Sequence, residues 1–384
     1  MKALLLSAYD AASHACWRKG LVEQFPEIDW TVLTLPARYF SWRLRGNSLS
    51  WAFNERELLE QPYDLLIVTS MTDLSALRGF VPSLAQIPTW VYFHENQFAY
   101  PESGQEYGGV EPKILNIYTA LAADFVCFNT EFNRNTFLEG CRKLLKKLPD
   151  HVPAGLPQRL EQISSVLPVP LSAEVFLPAQ EQPDSLQVTW SEHRNSPCID
   201  KPLLIVWAAR WEYDKGPDRL LAIMRELERR GADYRMCILG ERFRNTPQEF
   251  GVIEREFEHR IDQFGFAQSK KEYFEWLSCA DIVLSTATHE FQGLSVLEAV
   301  ARGCIPVLPD RQVYPELFDA EYIYDDCGDD VETEATAAAD TIELHAQLLR
   351  ENKARVPAVE NFGWSAMKAE YAVIIERVID SHPK

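Results

Sequence analysis

The segment Ile282-Val283-Leu284-Ser285-Thr286-Ala287-Thr288-His289-Glu290-Phe291-Gln292-Gly293-Leu294-Ser295-Val296-Leu297-Glu298-Ala299-Val300-Ala301 reads as a short apolar strand, a polar loop ending in glycine, and the start of a helix. A strand that feeds a helix in this way leaves the first backbone N–H groups and the positive end of the helix dipole open to a phosphate. Gly293 permits close backbone approach. Glu290 stands in the loop and Glu298 inside the helix, so two carboxylates flank the anion site and can hold two hydroxyl-rich groups. A capping Glu290 and a solvated Glu298 would produce the same spacing without a ligand.

Outward from this segment, short apolar runs recur at 3–6, 31–35, 65–68, 90–93 and 125–128, and again at 203–207, 236–239 and 305–308. Runs of this length and composition are what strands buried on both faces look like. Helical patterns separate most of them, which predicts an α/β chain of two doubly wound parallel units with ligands at the carboxyl ends of the strands. The expected division is a first domain over 1–175, a Pro-rich polar linker over 176–201, a second domain over 202–363, and a C-terminal helix over 364–384 that packs back on the first domain.

The chain has 384 residues and a formal charge of -19, unevenly spread. Residues 1–170 hold 15 Lys and Arg against 18 Asp and Glu, leaving 23 against 39 for residues 171–384. Acidity therefore belongs to the second half. The first half carries two local basic clusters: Arg38, Arg43 and Arg45 interleaved with Tyr39, Phe40 and Trp42, and Arg134, Arg142, Lys143, Lys146 and Lys147. These are the places where an RNA backbone would bind, although solvated helix faces give the same pattern. The eight cysteines, Cys198 among them, include no C-x-x-C pair. Reduced structural thiols in a cytoplasmic protein are expected. No run of eighteen apolar residues occurs, so no stable membrane anchor is expected.

Three further segments sit just beyond apolar runs. In Ala208-Ala209-Arg210-Trp211-Glu212-Tyr213-Asp214-Lys215-Gly216, Arg210 and Lys215 could neutralise a departing diphosphate, making a metal ion unnecessary. Ion pairs with Glu212 or Asp214 explain the two cations equally well. Tyr92-Phe93-His94-Glu95-Asn96-Gln97 would bring His94 and Asn96 to a crevice between the domains, on the acceptor side. Ser13 and His14 are expected in the first strand-to-helix loop, also facing the acceptor.

Arg210 and Lys215, followed by Glu290 and Glu298 at Glu-x7-Glu spacing, resemble the retaining glycosyltransferases of family 4, which have two Rossmann-like domains in the GT-B arrangement around an interdomain cleft. More narrowly, Thr34-Leu35-Pro36-Ala37, Phe93-His94-Glu95-Asn96-Gln97, Ala209–Lys215, His289-Glu290-Phe291 and Val313-Tyr314-Pro315-Glu316 look like the tRNA-queuosine mannosyltransferase group. The resemblance implies transfer of mannose from GDP-mannose to queuosine in a tRNA anticodon loop, with retention and without a cofactor. It also implies roles: Arg210 and Lys215 on the diphosphate with backbone donors near Gly293 and Leu294, Glu290 at the sugar, Glu298 on the ribose, Phe291 among the donor-binding residues, and His94 over the reacting sugar. A family 4 enzyme acting on a glycan, a lipid-linked sugar or a small metabolite is the nearest alternative, and a silent nucleotide-sugar or tRNA binding module the next. The first loop, Ala11-Ala12-Ser13-His14, lacks the glycines usual in that group.

Overall fold

The computed structural model describes residues 1–100, 109–148, 150–177, 190, 201–242 and 246–381. Two compact units divide the chain: unit 1 is Met1–Ser172 with Phe362–Lys384, and unit 2 is Ala173–Asn361.

Unit 1 is built on six parallel strands, β1 (Lys2–Asp10), β2 (Asp29–Pro36), β3 (Leu65–Thr69), β4 (Thr89–Phe93), β5 (Phe125–Phe128) and β6 (Ser164–Val166), in the order β2-β1-β3-β4-β5-β6. The direction of winding reverses between β1 and β3. Strands β3, β4 and β5 are buried along their whole length, as covering of both sheet faces by helices requires. The helix Ala12–Gln24 presents Trp17, which stacks on Tyr92 at 4.4 Å and donates its indole N–H to Tyr371 Oη at 3.0 Å. Tyr371 belongs to the helix Trp364–Ser381, which lies on β4 and on Ala12–Gln24. Gly20 admits the Trp364 indole: a Cβ there would stand 2.3 Å from its nitrogen.

Unit 2 repeats the plan with β7 (Leu203–Ala208), β8 (Tyr234–Leu239), β9 (Ile261–Gly265), β10 (Ile282–Leu284), β11 (Ile305–Pro309) and β12 (Ile323–Tyr324), ordered β12-β11-β10-β7-β8-β9. This is the doubly wound order with its switch point between β7 and β10, where ligands of such sheets collect.

Most of the stretch read as a linker, with Cys198, lies outside the described residues. Trp190 is the exception: its indole is fully buried, meets Trp276 edge-on at 5.1 Å and donates to the Asp262 carboxylate, so this position is core rather than linker. Residues 173–177 also side with unit 2, because the Arg302 guanidinium donates to the carbonyls of Glu174 and Leu177 at 2.7 Å each. The seven described cysteines are free, and burial pushes the Cys127 and Cys141 thiols up to about 12.

Candidate functional site

At the β7/β10 switch point, the loops after these two strands are laced together by backbone and side-chain bonds. Thr288 and His289 donate their N–H groups to the Asp214 carbonyl at 2.9 and 3.0 Å, and Thr286 Oγ1 donates to the Lys215 carbonyl at 2.8 Å. Gly216 makes the crossing possible. Its φ is +64°, and a Cβ would fall 2.0 Å from the Thr286 carbonyl oxygen.

Lys215 ends the short turn Tyr213–Lys215 with its ammonium buried. It donates to His289 O at 2.8 Å and Glu290 Oε2 at 3.1 Å, and lies 3.2 Å from Asp214 Oδ2. Burial works against its charge, but the Glu290 and Asp214 carboxylates overcome that and raise its pKa. The same balance holds for Glu290. Loss of water pushes its carboxyl up, while the Lys215 ammonium and the Gly293 N–H pull it down, leaving it at about 2.

Glu290 Oε1 also accepts from the Phe291 N–H at 3.0 Å. Gly293, at φ +73°, caps the helix Leu294–Ala301. The helix start expected to receive a phosphate through Gly293 and Leu294 therefore already meets an anion of the chain's own, the Glu290 carboxylate. Phe291 is buried edge-on to His289, and Ser295 Oγ ties the helix to the end of β7 through Ala208 O at 2.6 Å. Glu298, half-buried one turn on, accepts from Tyr273 Oη at 2.9 Å; burial raises its pKa and this bond opposes the rise. Arg210 extends past the end of β7, half exposed, 3.0 Å from Glu212 Oε2.

Beside Tyr273, two residues left without a role by the reading of the sequence complete this site. Gln312, held at φ +55°, accepts from the Glu290 N–H and donates to the Thr288 carbonyl, both at 2.6 Å. A glutamine in the left-handed region is strained and persists only where its surroundings impose it. Tyr314 closes the other side, its hydroxyl 2.6 Å from Ser285 Oγ and its ring 3.2 Å from a Cβ built on Gly293. Only the quoted Val313-Tyr314-Pro315-Glu316 stretch pointed toward this region.

In unit 1, His14 and His94 come together. Their rings stack with centroids 4.0 Å apart, and Glu95 Oε2 lies 2.9 Å from His14 Nε2. His94 is buried, also meets Trp17 and Tyr92, and neither of its ring nitrogens has a hydrogen-bond partner among the described residues. Desolvation and the neighbouring His14 hold its pKa well below the usual histidine value. The expected ligand-facing loop at Ser13 and His14 is not formed. β1 continues to Asp10 and only Ala11 separates it from the helix, so both residues lie in the first helical turn, Ser13 exposed and His14 buried.

Asn96 is corrected as well. Its amide donates to Asn133 O, Asn133 Oδ1 and Thr136 Oγ1 at 2.8–3.0 Å, and its carbonyl accepts from the N–H groups of Phe98 and Ala99. With its polar atoms engaged in this way, Asn96 shapes the loop rather than meeting an acceptor.

Of the first basic cluster, Arg43 is buried on the helix face shared with Leu44 and Asn47 and donates to Pro36 O at 3.3 Å, so it is not part of an exposed basic surface. Arg45 is held by Asp73 and Glu111 at 2.9 and 3.0 Å, while Arg38 lies over the exposed ring of Tyr39 at 5.7 Å. In the second, Arg134 and Arg142 are tied to Ser164 and Glu161, whereas Lys143, Lys146 and Lys147 are exposed. Among the described residues, no group of three or more His, Cys, Asp or Glu could hold a metal ion, and no helix is long and apolar enough to cross a membrane.

Residues 2–171 match the family model described as tRNA-queuosine alpha-mannosyltransferase N-terminal, and residues 188–361 match Glycosyl transferases group 1. A tRNA-queuosine alpha-mannosyltransferase of Drosophila melanogaster is 32% identical over 323 residues, 84% of this chain and 82% of that one. A GDP-mannose:cellobiosyl-diphosphopolyprenol alpha-mannosyltransferase of Xanthomonas oryzae is 22% identical over 36% of this chain and 37% of its own length. Among solved structures, sucrose-phosphate synthase of Thermosynechococcus elongatus aligns with TM-score 0.71 at 14% identity over 99% of this chain and 100% of that one. HepE of Anabaena, in complex with UDP and glucose, aligns with TM-score 0.66 at 13% identity over 98% and 100%. The structural likenesses establish the GT-B fold class, and the sequence likeness carries the finer assignment: the chain is a glycosyltransferase belonging to the tRNA-queuosine alpha-mannosyltransferase family.

Proposed function

We propose that this chain moves mannose from GDP-mannose to queuosine in the anticodon loop of a tRNA, with retention at the anomeric carbon and without a metal ion. The observation that carries the reading is the buried Lys215 ammonium joined to Glu290 at 3.1 Å beside the start of helix Leu294–Ala301. A fixed cation, helix N–H groups and a carboxylate converge there on the place where a sugar diphosphate would break.

In the reaction the bond from the anomeric carbon to the diphosphate oxygen breaks, and its electron pair leaves with GDP. Lys215 and the half-exposed Arg210 stabilise that charge. The acceptor hydroxyl oxygen bonds to the anomeric carbon on the face the diphosphate has left, and the leaving phosphate oxygen takes its proton. Glu290 holds hydroxyls of the sugar, and Glu298, kept in place by Tyr273, holds the ribose. His94 belongs to the catalytic group as a neutral imidazole on the acceptor side.

Incubation with GDP-mannose, and separately with other nucleotide sugars, in the presence of tRNA with or without queuosine tests this by mass. One added hexose only with GDP-mannose and queuosine-containing tRNA is expected. Transfer that ignores queuosine would overturn the acceptor, and transfer from another nucleotide sugar would overturn the donor.

A further inference from the structure

Resting on the reading of tRNA as acceptor, we infer that the groove between helices Val110–Leu121 and Glu131–Lys147 binds single-stranded RNA flanking the acceptor nucleotide, with a base stacked on Phe98 and phosphates held by Lys113, Lys143 and Lys147. The groove is an open surface depression of about 530 Å³, lined by Phe98, Gly140, Leu144 and the three lysines, among others. A volume of this size suits one ligand-sized group such as a nucleotide.

The aromatic floor is built deliberately. Glycine inside a helix costs about 1 kcal/mol relative to alanine, yet Gly140 sits in the middle of Glu131–Lys147. Its missing side chain is where Phe98 lies: a Cβ on Gly140 would stand 2.3 Å from the phenyl ring. Asn96 fixes the approach, since its side-chain carbonyl holds the Phe98 N–H at 2.9 Å while its amide is anchored on Asn133 and Thr136. Phe98 stays half-buried, one part of the ring on the helix and the rest toward the groove. It stands only four positions after His94, a span of at most about 14 Å.

Charge and polarity select nucleic acid over other occupants. In a chain of net charge -19, three lysines rim this groove, with Lys143 and Lys147 one helical turn apart. Glu139, 3.4 Å from Lys143, also lines it. A carboxylate there accepts hydrogen bonds from base amino groups and 2′-hydroxyls, donors that the side chains of an acidic peptide lack. Sequence-tolerant stacking on an aromatic ring beside a cationic track is how single strands are held.

The test is anisotropy of a labelled queuosine-containing anticodon stem–loop at several salt concentrations, alongside acceptor KM, for three proteins: the natural chain, the Lys113→Ala/Lys143→Ala/Lys147→Ala triple variant, and Phe98→Leu. Each single-strand phosphate contact contributes about 0.7 to the salt slope, so the triple variant should lose about 2 from it. Phe98→Leu should weaken binding about tenfold with the slope unchanged. Both should raise KM for tRNA and leave donor KM alone. A natural slope in the triple variant, or full affinity in Phe98→Leu, overturns the groove. Binding of a polyglutamate peptide that is lost in the same variants reassigns it to an acidic polypeptide. If the natural chain transfers to no tRNA while the variants still change RNA binding, the proposed function fails and the groove stands.

Discussion

The imidazole of His14 lies on the imidazole of His94 with the ring planes 17° from parallel, and the Glu95 carboxylate touches only the first of the two. Burial and the neighbouring His14 ring both work against a charge on His94, whose pKa lies well below the usual histidine value.

This has a signed consequence for stability. The folded pKa of His94 lies below its unfolded value near 6.5, so below that pH the unfolded chain binds a proton that the folded chain refuses. Stability should be full above that pH and fall as pH drops, by up to about 1.4 kcal/mol per pH unit. Urea unfolding at pH 5, 6 and 7 should show a flatter curve for His94→Gln. An equally steep fall in that variant would refute the buried neutral ring.

Lys215→Ala should lower kcat by about a hundredfold or more while acceptor KM hardly moves, because a charge-stabilising group for the leaving diphosphate is lost. The variant also leaves Glu290 and Asp214 facing each other without their cation, at a cost of about 3–5 kcal/mol. Adding Glu290→Gln should restore part of the stability and none of the turnover. Steady-state kinetics and denaturant midpoints on the single and double variants separate these effects.

Two glycines with similar positive φ should behave differently. Gly231 at φ +68° has nothing within 4 Å of a built Cβ, whereas Gly216 at φ +64° has the Thr286 carbonyl at 2.0 Å. Gly231→Ala should cost about 1 kcal/mol, the strain of the left-handed region alone. Gly216→Ala must also push the two site loops apart, so its unfolding midpoint should fall further and its donor KM should rise. Equal losses would mean that the close approach matters little.

Tyr273→Phe removes the hydroxyl that Glu298 accepts at 2.9 Å. Without it the carboxyl's pKa, already raised by burial, rises further. Donor KM should increase about tenfold, the effect of losing one hydrogen bond to a charged group. The acid limb of kcat/KM for the donor should also move to higher pH. A donor KM equal to that of the natural chain would take Glu298 out of the ribose site.

Apolar runs made β1 through β5, β7, β8, β10 and β11 legible, in most of them because a strand covered on both faces carries little else; β2 shows its run although it is an edge strand, half-buried or exposed throughout. The strands that escaped are edges. Ser164–Val166 and Ile261–Gly265 are mostly half-buried, and Ile323–Tyr324 is two residues long, so none has an apolar run to display. The helix beginning at Ala12 was misplaced for a different reason: its N-cap, Ala11, makes no side-chain capping bond, so the usual signal of a helix start is missing. Lys215 and Glu290 were readable as residues in the loops beyond strand ends, and Glu298 as one inside the helix that follows. What they touch was not. The Gln312 clamp, the Tyr273 bond and the burial of Arg43 each depend on a partner distant in sequence or on the face of a helix turned inward.

The helix Trp364–Ser381 belongs to the unit that begins the chain, with the whole of unit 2 inserted between. On a ribosome the sheet of unit 1 is therefore finished long before the piece that covers Trp17 and Trp90 exists. At about 5–20 residues per second, the intervening stretch takes on the order of 10–40 s to make. During that interval the nascent chain displays an open tryptophan and tyrosine cluster. A product cut short after residue 361 would keep it open permanently, a mark by which quality control could tell it from the finished protein.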